Sequence, residues 1–351
     1  MSWDSNIRKV TPYIAGEQPR QADIIKLNTN ESPYPPSPSV AECIAGIIAD
    51  DFRLYPDPDC KSLVHALAEY HHVKPEQVFV GVGSDDVLAL SYLTYFNSSQ
   101  PLLFPDVTYS FYEVWADLYR VPYRVIPLDD DFQIVAEDYH TANGGIIIPN
   151  PNAPTGVFAE LDVLEDIVRR NRDSVVIIDE AYIDYGGTTI LPLIDKYDNL
   201  LVVRTFSKSR AMAGVRIGYA IGSKRLIKYL SDAKFATNSY TMSNFSLAVG
   251  VASLADEADF REKTAQITAT RTWFAEELIR LGFSFPKPMG NFVFATHSTV
   301  PAADLFITLK KAGIFVRYWN RPRINNHLRI TIGTDEEMRT VTEFLKKYLG
   351  K

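Results

Sequence analysis

Between residues 60 and 245 the chain alternates short apolar runs with helix-patterned segments, and this alternation restricts the possible folds more than any other feature. The runs are Val78–Val80, Leu102–Phe104, Arg124–Ile126, Ile146–Ile148, Val175–Ile178, Leu201–Val203 and Ile217–Ile221. A strand buried on both faces reads as a continuous apolar run, whereas a half-exposed strand alternates apolar with polar. Short apolar strands separated by helices therefore predict an α/β fold, a mainly parallel sheet with helices on both sides.

The pattern changes toward the C-terminus. Asp256–Leu281 reads as a long helix. Ser284–Phe285, Phe292–Ala295, Ile314–Val316 and Leu328–Ile332 then read as strands, with helices at Ala302–Ala312 and Glu336–Leu349. At roughly 100–200 residues per domain, 351 residues suggest two domains. We expect a large domain over residues 31–245 and a smaller α+β domain built from residues 1–30 and 246–351. A proline-rich connector, Ser32–Pro38, joins the two, and Ser39–Asp51 after it has helical spacing, with Val40, Cys43, Ile44 and Ile47 on one stripe.

Composition removes several classes. Cys43 and Cys60 are the only cysteines and lack metal-ligand spacing, which suits a reducing compartment and argues against a disulfide framework. The net charge is −7 and no Lys/Arg run reaches five residues, so nucleic acid and anionic membranes are not the expected partners. Met1–Tyr13 has no apolar signal core, and no stretch of 18 apolar residues occurs. A cytoplasmic protein is expected. HExxH, Walker A and GxSxG patterns are absent, so metalloprotease, P-loop and serine-hydrolase readings lack support.

In a parallel α/β sheet, ligands bind beyond the carboxyl ends of the strands. Three segments follow strands there: Pro149–Gly156, Asp179–Tyr182 and Arg204–Lys208. Asn152, Asp179 and Lys208 are 27 and 29 residues apart, about one strand–helix unit each, so all three can meet at one edge. These residue types suit pyridoxal 5′-phosphate (PLP). A lysine amine forms a Schiff base and moves the substrate proton. An aspartate keeps the pyridine nitrogen protonated, and Asn or Tyr side chains bond the ring hydroxyl. Gly81-Val-Gly-Ser-Asp85 opens a helix after a strand and offers backbone amides to a phosphate. Thr205, Ser207 and Arg216 lie near Lys208 and can complete that cradle.

At these residues the sequence resembles the fold-type I, class I/II aminotransferases, and among them most closely the histidinol-phosphate aminotransferases. The resemblance rests on Leu27–Ser32, Arg53–Asp57, Gly83-Ser-Asp85, Asn150–Gly156, Asp179–Tyr182, Ser207-Lys-Ser209, Gly214–Gly218, Val316-Arg317 and Leu328–Gly333, in that order over nearly the whole chain. It implies the aspartate-aminotransferase fold and a PLP-dependent exchange of amino groups between L-histidinol phosphate and 2-oxoglutarate. It assigns the Schiff base to Lys208, the pyridine nitrogen to Asp179, the ring hydroxyl to Tyr182 and a stacking role to Tyr109. Gly83, Ser84, Asp85, Thr205, Ser207 and Arg216 would hold the phosphate. Tyr55 would reach the cofactor of a neighbouring subunit, which implies a homodimer. Tyr13, Asn30, Arg317 and Arg329 are the implied substrate contacts. One departure stands out: Ala153 occupies the position before Pro-Thr-Gly where the family usually has asparagine. Either Asn152 reaches the ring from one position earlier, or Tyr182 bonds the ring hydroxyl alone. Aromatic aminotransferases and threonine-phosphate decarboxylases share these motifs. A regulatory module of this fold would need a DNA-binding domain, for which only ~40 residues precede the PLP-like region.

Overall fold

All seven apolar runs form strands of one sheet. The computed structural model describes residues 2–19 and 23–351. Its strands, in chain order, are β1 (Ile25–Lys26), β2 (Val78–Gly81), β3 (Leu102–Pro105), β4 (Tyr123–Ile126), β5 (Gly145–Pro149), β6 (Val176–Asp179), β7 (Leu200–Thr205), β8 (Gly218–Gly222), β9 (Phe283–Ser284), β10 (Phe292–His297), β11 (Ile314–Phe315), β12 (Arg317–Tyr318) and β13 (Leu328–Thr331). The large sheet has the order β2-β8-β7-β6-β5-β3-β4. Its strands run parallel except β8, which is antiparallel to both neighbours. The exception follows from chain length. Only residues 206–217 join β7 to β8, with no crossover helix between them. A parallel return needs such a crossover; a short connection returns antiparallel.

The central runs are continuous because both faces of the sheet are covered there; the edge strand β4 is exposed at Tyr123, Arg124 and Val125. Ile146, Ile148, Val176, Ile178, Leu200 and Val202 pack into one core with Leu63, Leu67, Leu164 and Ile167. The intervening residues Ile147, Ile177, Leu201 and Val203 pack into a second core with Val87, Leu88, Tyr112 and Leu230. Successive side chains of a strand point to opposite faces, so the two lists are the two faces. Each such Ile, Leu or Val contributes about 1.5–3 kcal/mol on burial.

Smaller differences have local causes. The helix expected over Ser39–Asp51 covers only Pro38–Ala45, followed by a 3-10 turn at Ala49–Phe52. Gly46 ends it, and Ile48 adopts extended backbone (φ −113°, ψ 159°). Of the expected apolar stripe only Val40 is fully buried. The strand expected at Ile314–Val316 ends at Phe315 as β11, and β12, which follows at Arg317, joins a different sheet. β1 pairs in parallel with β11, Ile25 opposite Ile314. β12-β13-β10-β9 form an antiparallel sheet, packed in its own core with Phe274 and Leu278 of helix Glu257–Arg280 and Met338, Val341 and Leu345 of helix Asp335–Leu349. Among the described residues no helix is long and apolar enough to cross a membrane.

Candidate active site

Strand register gathers the motif residues at one edge. Pro149 lies beside Asp179, Thr205 beside Gly218, and Gly218 beside Gly81. These are the carboxyl ends of β2, β5, β6 and β7, met by the start of the antiparallel β8. Above this edge lies a cavity of about 480 Å³. Ser84, Asp85, Tyr109, Asp179, Tyr182, Thr205, Ser207, Lys208 and Arg216 line it. A second cavity of about 390 Å³ adjoins it and carries Arg317, Trp319, Arg321, Arg323 and Arg329. Tyr13, Thr29, Tyr109, Ala153, Tyr182 and Lys208 border both. Lys208 thus stands between a polar floor and an arginine-rich mouth.

The chemistry of the floor suits a phosphate. Helix Ser84–Tyr95 begins at Gly83, whose φ of +85° only glycine adopts without strain. A Cβ on Gly83 would meet Arg216 Nη2 at 2.4 Å, so the missing side chain is what lets the guanidinium in. A Cβ on Gly218 would meet Ser84 N and Gly83 C at 2.1 Å, so β8 packs against the turn backbone to backbone. The helix N-terminus offers unpaired amides and a partial positive charge. The Thr205 hydroxyl donates to Ser207 Oγ (3.0 Å), Ser207 N donates back to Thr205 Oγ1 (3.1 Å), and both line the same floor. Arg216 Nη2 reaches Asp85 Oδ2 at 3.4 Å, and Tyr109 donates to Asp85 Oδ1 at 2.9 Å. We expect Gly218→Ala to cost about 2 kcal/mol of stability through overpacking and to weaken cofactor retention. Thermal melting with and without PLP measures both effects.

At the end of β6, Asp179 is 6% exposed. Burial pushes its carboxyl up to about 6, against hydrogen bonds from Tyr112 and Ala181 that favour the carboxylate. Tyr112 Oη donates at 3.0 Å and Ala181 N at 3.2 Å. A buried acid lining a cavity, with neutral donors only, suits a cationic ring nitrogen. Lys208 Nζ donates to the Thr29 carbonyl (3.0 Å) and lies 5.7 Å from the Tyr182 ring centroid. Its loop is held from below. Ser209 donates to Asp184 Oδ2 (2.5 Å), and Arg204 pairs with the buried Glu180 at 2.9 Å. Volume, donor set and buried acid together fit PLP. Thr205, Ser207, Arg216 and the Ser84 and Asp85 amides would hold its phosphate, and Asp179 its ring nitrogen.

In the second cavity, Arg317 sits directly opposite Arg329 on adjacent antiparallel strands. Like charges in that register repel. Neither has a carboxylate partner among the described residues: Arg317 donates to the Ile14 and Ala15 carbonyls, and Arg329 to the Asn28 carbonyl. Both guanidiniums lie over Trp319, at 5.3 and 5.2 Å. Burial and the Arg317 charge hold Arg329 below its ordinary value. Two unneutralised cations side by side on one wall of a cavity suit an anion. Tyr13 borders it, stacked on Phe111 with centroids 4.1 Å apart.

Two expectations, both on amides, are corrected by this geometry. Asn152 does not reach the ring site: its amide donates to Val107 O (2.8 Å) and Thr155 Oγ1 (3.0 Å), and Ala153 lines the cavity instead. Two cis prolyl bonds, Asn150–Pro151 and Ala153–Pro154, shape that loop. Asn30 borders neither cavity. It is 1% exposed and its amide is committed to Tyr182 Oη at 2.9 Å. Tyr55, expected to reach a neighbouring subunit's cofactor, is 81% exposed beside Tyr240 (4.6 Å), outside its own chain's cavity. Conversely, sequence reading did not single out Tyr112, although it lies three residues beyond Tyr109 in the same aromatic stretch. Thr29 was beyond reach of such reading, because it acts through its backbone carbonyl.

The sequence also matches known proteins over nearly its whole length. The sequence model of the aminotransferase class I and II family matches residues 22–345. The chain belongs to that family, the PLP-dependent transaminases of the aspartate-aminotransferase fold. Among its relatives, histidinol-phosphate aminotransferase of Lactococcus lactis subsp. cremoris is 53% identical over 99% of this chain and 98% of its own length. Histidinol-phosphate aminotransferase of Clostridium botulinum is 46% identical over 99% of both chains. Among solved structures, a putative histidinol-phosphate aminotransferase of Erwinia carotovora atroseptica superposes with a TM-score of 0.86 at 25% identity, over 95% of this chain and 98% of the other. The Sinorhizobium meliloti enzyme, solved in complex with PLP, has the same fold at a TM-score of 0.85 and 24% identity, over 93% of this chain and 91% of the other.

Proposed function

We propose that this enzyme transfers the amino group of L-histidinol phosphate to 2-oxoglutarate, releasing imidazole-acetol phosphate and glutamate, a step of histidine biosynthesis. The observation that carries the substrate class is the unneutralised Arg317–Arg329 pair beside Lys208. One arginine pair serves the phosphate of the amine and the carboxylates of the keto acid in turn, as an alternating reaction requires. The full-length relatives named for histidinol phosphate support the particular amine.

Bound PLP supplies an electron sink for negative charge developing next to the substrate nitrogen. Lys208 Nζ takes the proton from that substrate carbon as general base. The Thr29 carbonyl, 3.0 Å from Nζ, orients the amine at the junction of the two cavities. Asp179 keeps the ring nitrogen protonated, Tyr182 donates to the ring oxygen, and Tyr109 packs on the ring. Ser84, Asp85, Thr205, Ser207 and Arg216 anchor the phosphate, leaving the second cavity to the substrate. Tyr13 closes over that cavity from the N-terminal segment.

The homodimer belongs to the same proposal. Tyr55, Phe52, Leu54 and Ile48 are all at least 60% exposed and form an apolar patch suited to a second copy. Tyr55 then serves the partner's cofactor. We place the boundary of the large domain after helix Asn244–Ala255, whose Leu247, Val249 and Leu254 pack in the large sheet's core. Of the described residues, 2–19, 23–30 and those beyond 255 form the small domain. A cytoplasmic setting, with neither nucleic acid nor membrane as partner, completes the proposal.

Arg329→Leu tests the anion site. We expect KM for L-histidinol phosphate to rise roughly 100-fold, the loss of a charge-assisted contact, while L-histidinol without its phosphate loses far less. Steady-state kinetics with both amines checks this. Equal losses on the two amines would remove the phosphate from this site.

A further inference from the structure

We infer that Asn30 is a positioning residue, which together with Thr331 fixes the Tyr182 hydroxyl as a donor into the cofactor cavity. The inference rests on the PLP reading of that cavity and deepens it.

Hydrogen-bond direction is set link by link. Asn30 has left-handed backbone (φ +56°), and its N–H donates to Thr331 Oγ1 at 3.1 Å. The Thr331 hydroxyl, with one hydrogen, donates it to Asn30 Oδ1 at 2.9 Å. With its oxygen taken, the amide turns its NH2 to Tyr182 and donates to Oη at 2.9 Å. Asn291 Nδ2 donates to the Asn30 carbonyl at 3.1 Å and holds the backbone. Thr331 and Asn30 are 2% and 1% exposed, so no bulk water can substitute in this relay. Turning the amide end for end would strand the buried Thr331 hydrogen without an acceptor, a costly state.

Tyr182 Oη therefore receives a hydrogen from behind and keeps its own for the cavity that it lines. Neither Ala153 nor Asn152 supplies a second donor on this wall. Ala153 lines it without a donor, and both Asn152 amide hydrogens are engaged elsewhere. A phenol free to rotate could face Asn30 as donor; the relay removes that option. The relay also joins β13 to the turn after β6, so it couples the small sheet to the cofactor floor.

A donor on the ring oxygen stabilises charge there and lowers the pH at which the bound cofactor's visible absorption titrates. The test is a pH titration of that absorption in the holoenzyme and its variants. Tyr182→Phe should raise the midpoint by about one pH unit. Asn30→Asp presents only acceptors, draws the phenol hydrogen backward, and should raise the midpoint by a similar amount. In a Tyr182→Phe background, Asn30→Asp should add nothing, because it acts through the phenol. Thr331→Val, of nearly equal volume, should shift the midpoint the same way by less. The inference fails if Asn30→Asp shifts the midpoint equally with and without Tyr182, which would mean a simple charge effect. It also fails if Thr331→Val titrates like the wild type while Tyr182→Phe does not. If Tyr182→Phe itself leaves the titration unchanged, the assignment of the cavity falls, and the relay with it.

Discussion

Lys208→Ala loses transamination by roughly 10⁴-fold or more, the scale of a missing general base that also anchors the cofactor. The loss comes without unfolding. Lys208 makes one hydrogen bond, to the Thr29 carbonyl, and its stem lines cavity rather than core. Its neighbours keep their own ties, Ser207 to Thr205 and Ser209 to Asp184. Thermal melting of the variant should therefore match the cofactor-free wild type closely. Borohydride treatment should fix PLP to the wild-type chain at Lys208 and leave the variant unlabelled, which mass spectrometry reads directly. An active variant, or label on another lysine, would remove Lys208 from the chemistry.

Asp179→Asn has the second largest expected effect, a fall in kcat/KM of roughly 10²–10³-fold. Asparagine is nearly isosteric: its one oxygen can still accept from Ala181 N, and its NH2, in place of Oδ2, can donate to the Tyr112 oxygen, so the site stays assembled. What it cannot do is stabilise a protonated ring nitrogen. The same residue sets a pH dependence. Burial holds the Asp179 carboxyl at about 6, above its ordinary value. A cationic partner favours the ionised form, so its pKa falls when the cofactor binds. Below about 6, binding must expel the Asp179 proton and affinity weakens as pH drops; above it this contribution is flat. In Asp179→Asn that contribution vanishes. PLP titrations of both proteins between pH 5 and 8, followed by fluorescence, compare the two profiles. Parallel profiles would mean that Asp179 does not face the ring nitrogen.

The sequence was most informative where one physical rule acts alone. Ile146–Ile148, Val175–Ile178 and Leu201–Val203 could be read as central strands because two-sided burial leaves no polar position in them. Lys208, Asp179, Thr205 and Arg216 could be placed because strand ends bring them to one edge, whatever the loops do. The direction of β8 was less legible, since an apolar run carries no sign of its orientation; the length of the connection decides it. Ser39–Asp51 misled because its spacing continues past Gly46, where the helix stops. The site residues that were misplaced are the amides. Nothing in the spacing of Asn152 or Asn30 tells which way a carboxamide points. Asn152 turns to Val107 and Thr155, and Asn30 turns to Tyr182. Arg317 and Arg329 were suspected from sequence, but their direct opposition is a matter of strand register, and the anion site follows from that register.

The most direct test of the account is the absorbance spectrum of the PLP-loaded protein as L-histidinol phosphate and then 2-oxoglutarate are added. A visible cofactor band should be lost on adding the amine and restored by the keto acid, with imidazole-acetol phosphate and glutamate as products. A cofactor band indifferent to L-histidinol phosphate, yet discharged by an aromatic amino acid or by threonine phosphate, would contradict the proposed substrate. A protein that takes up no PLP at all would contradict the site itself.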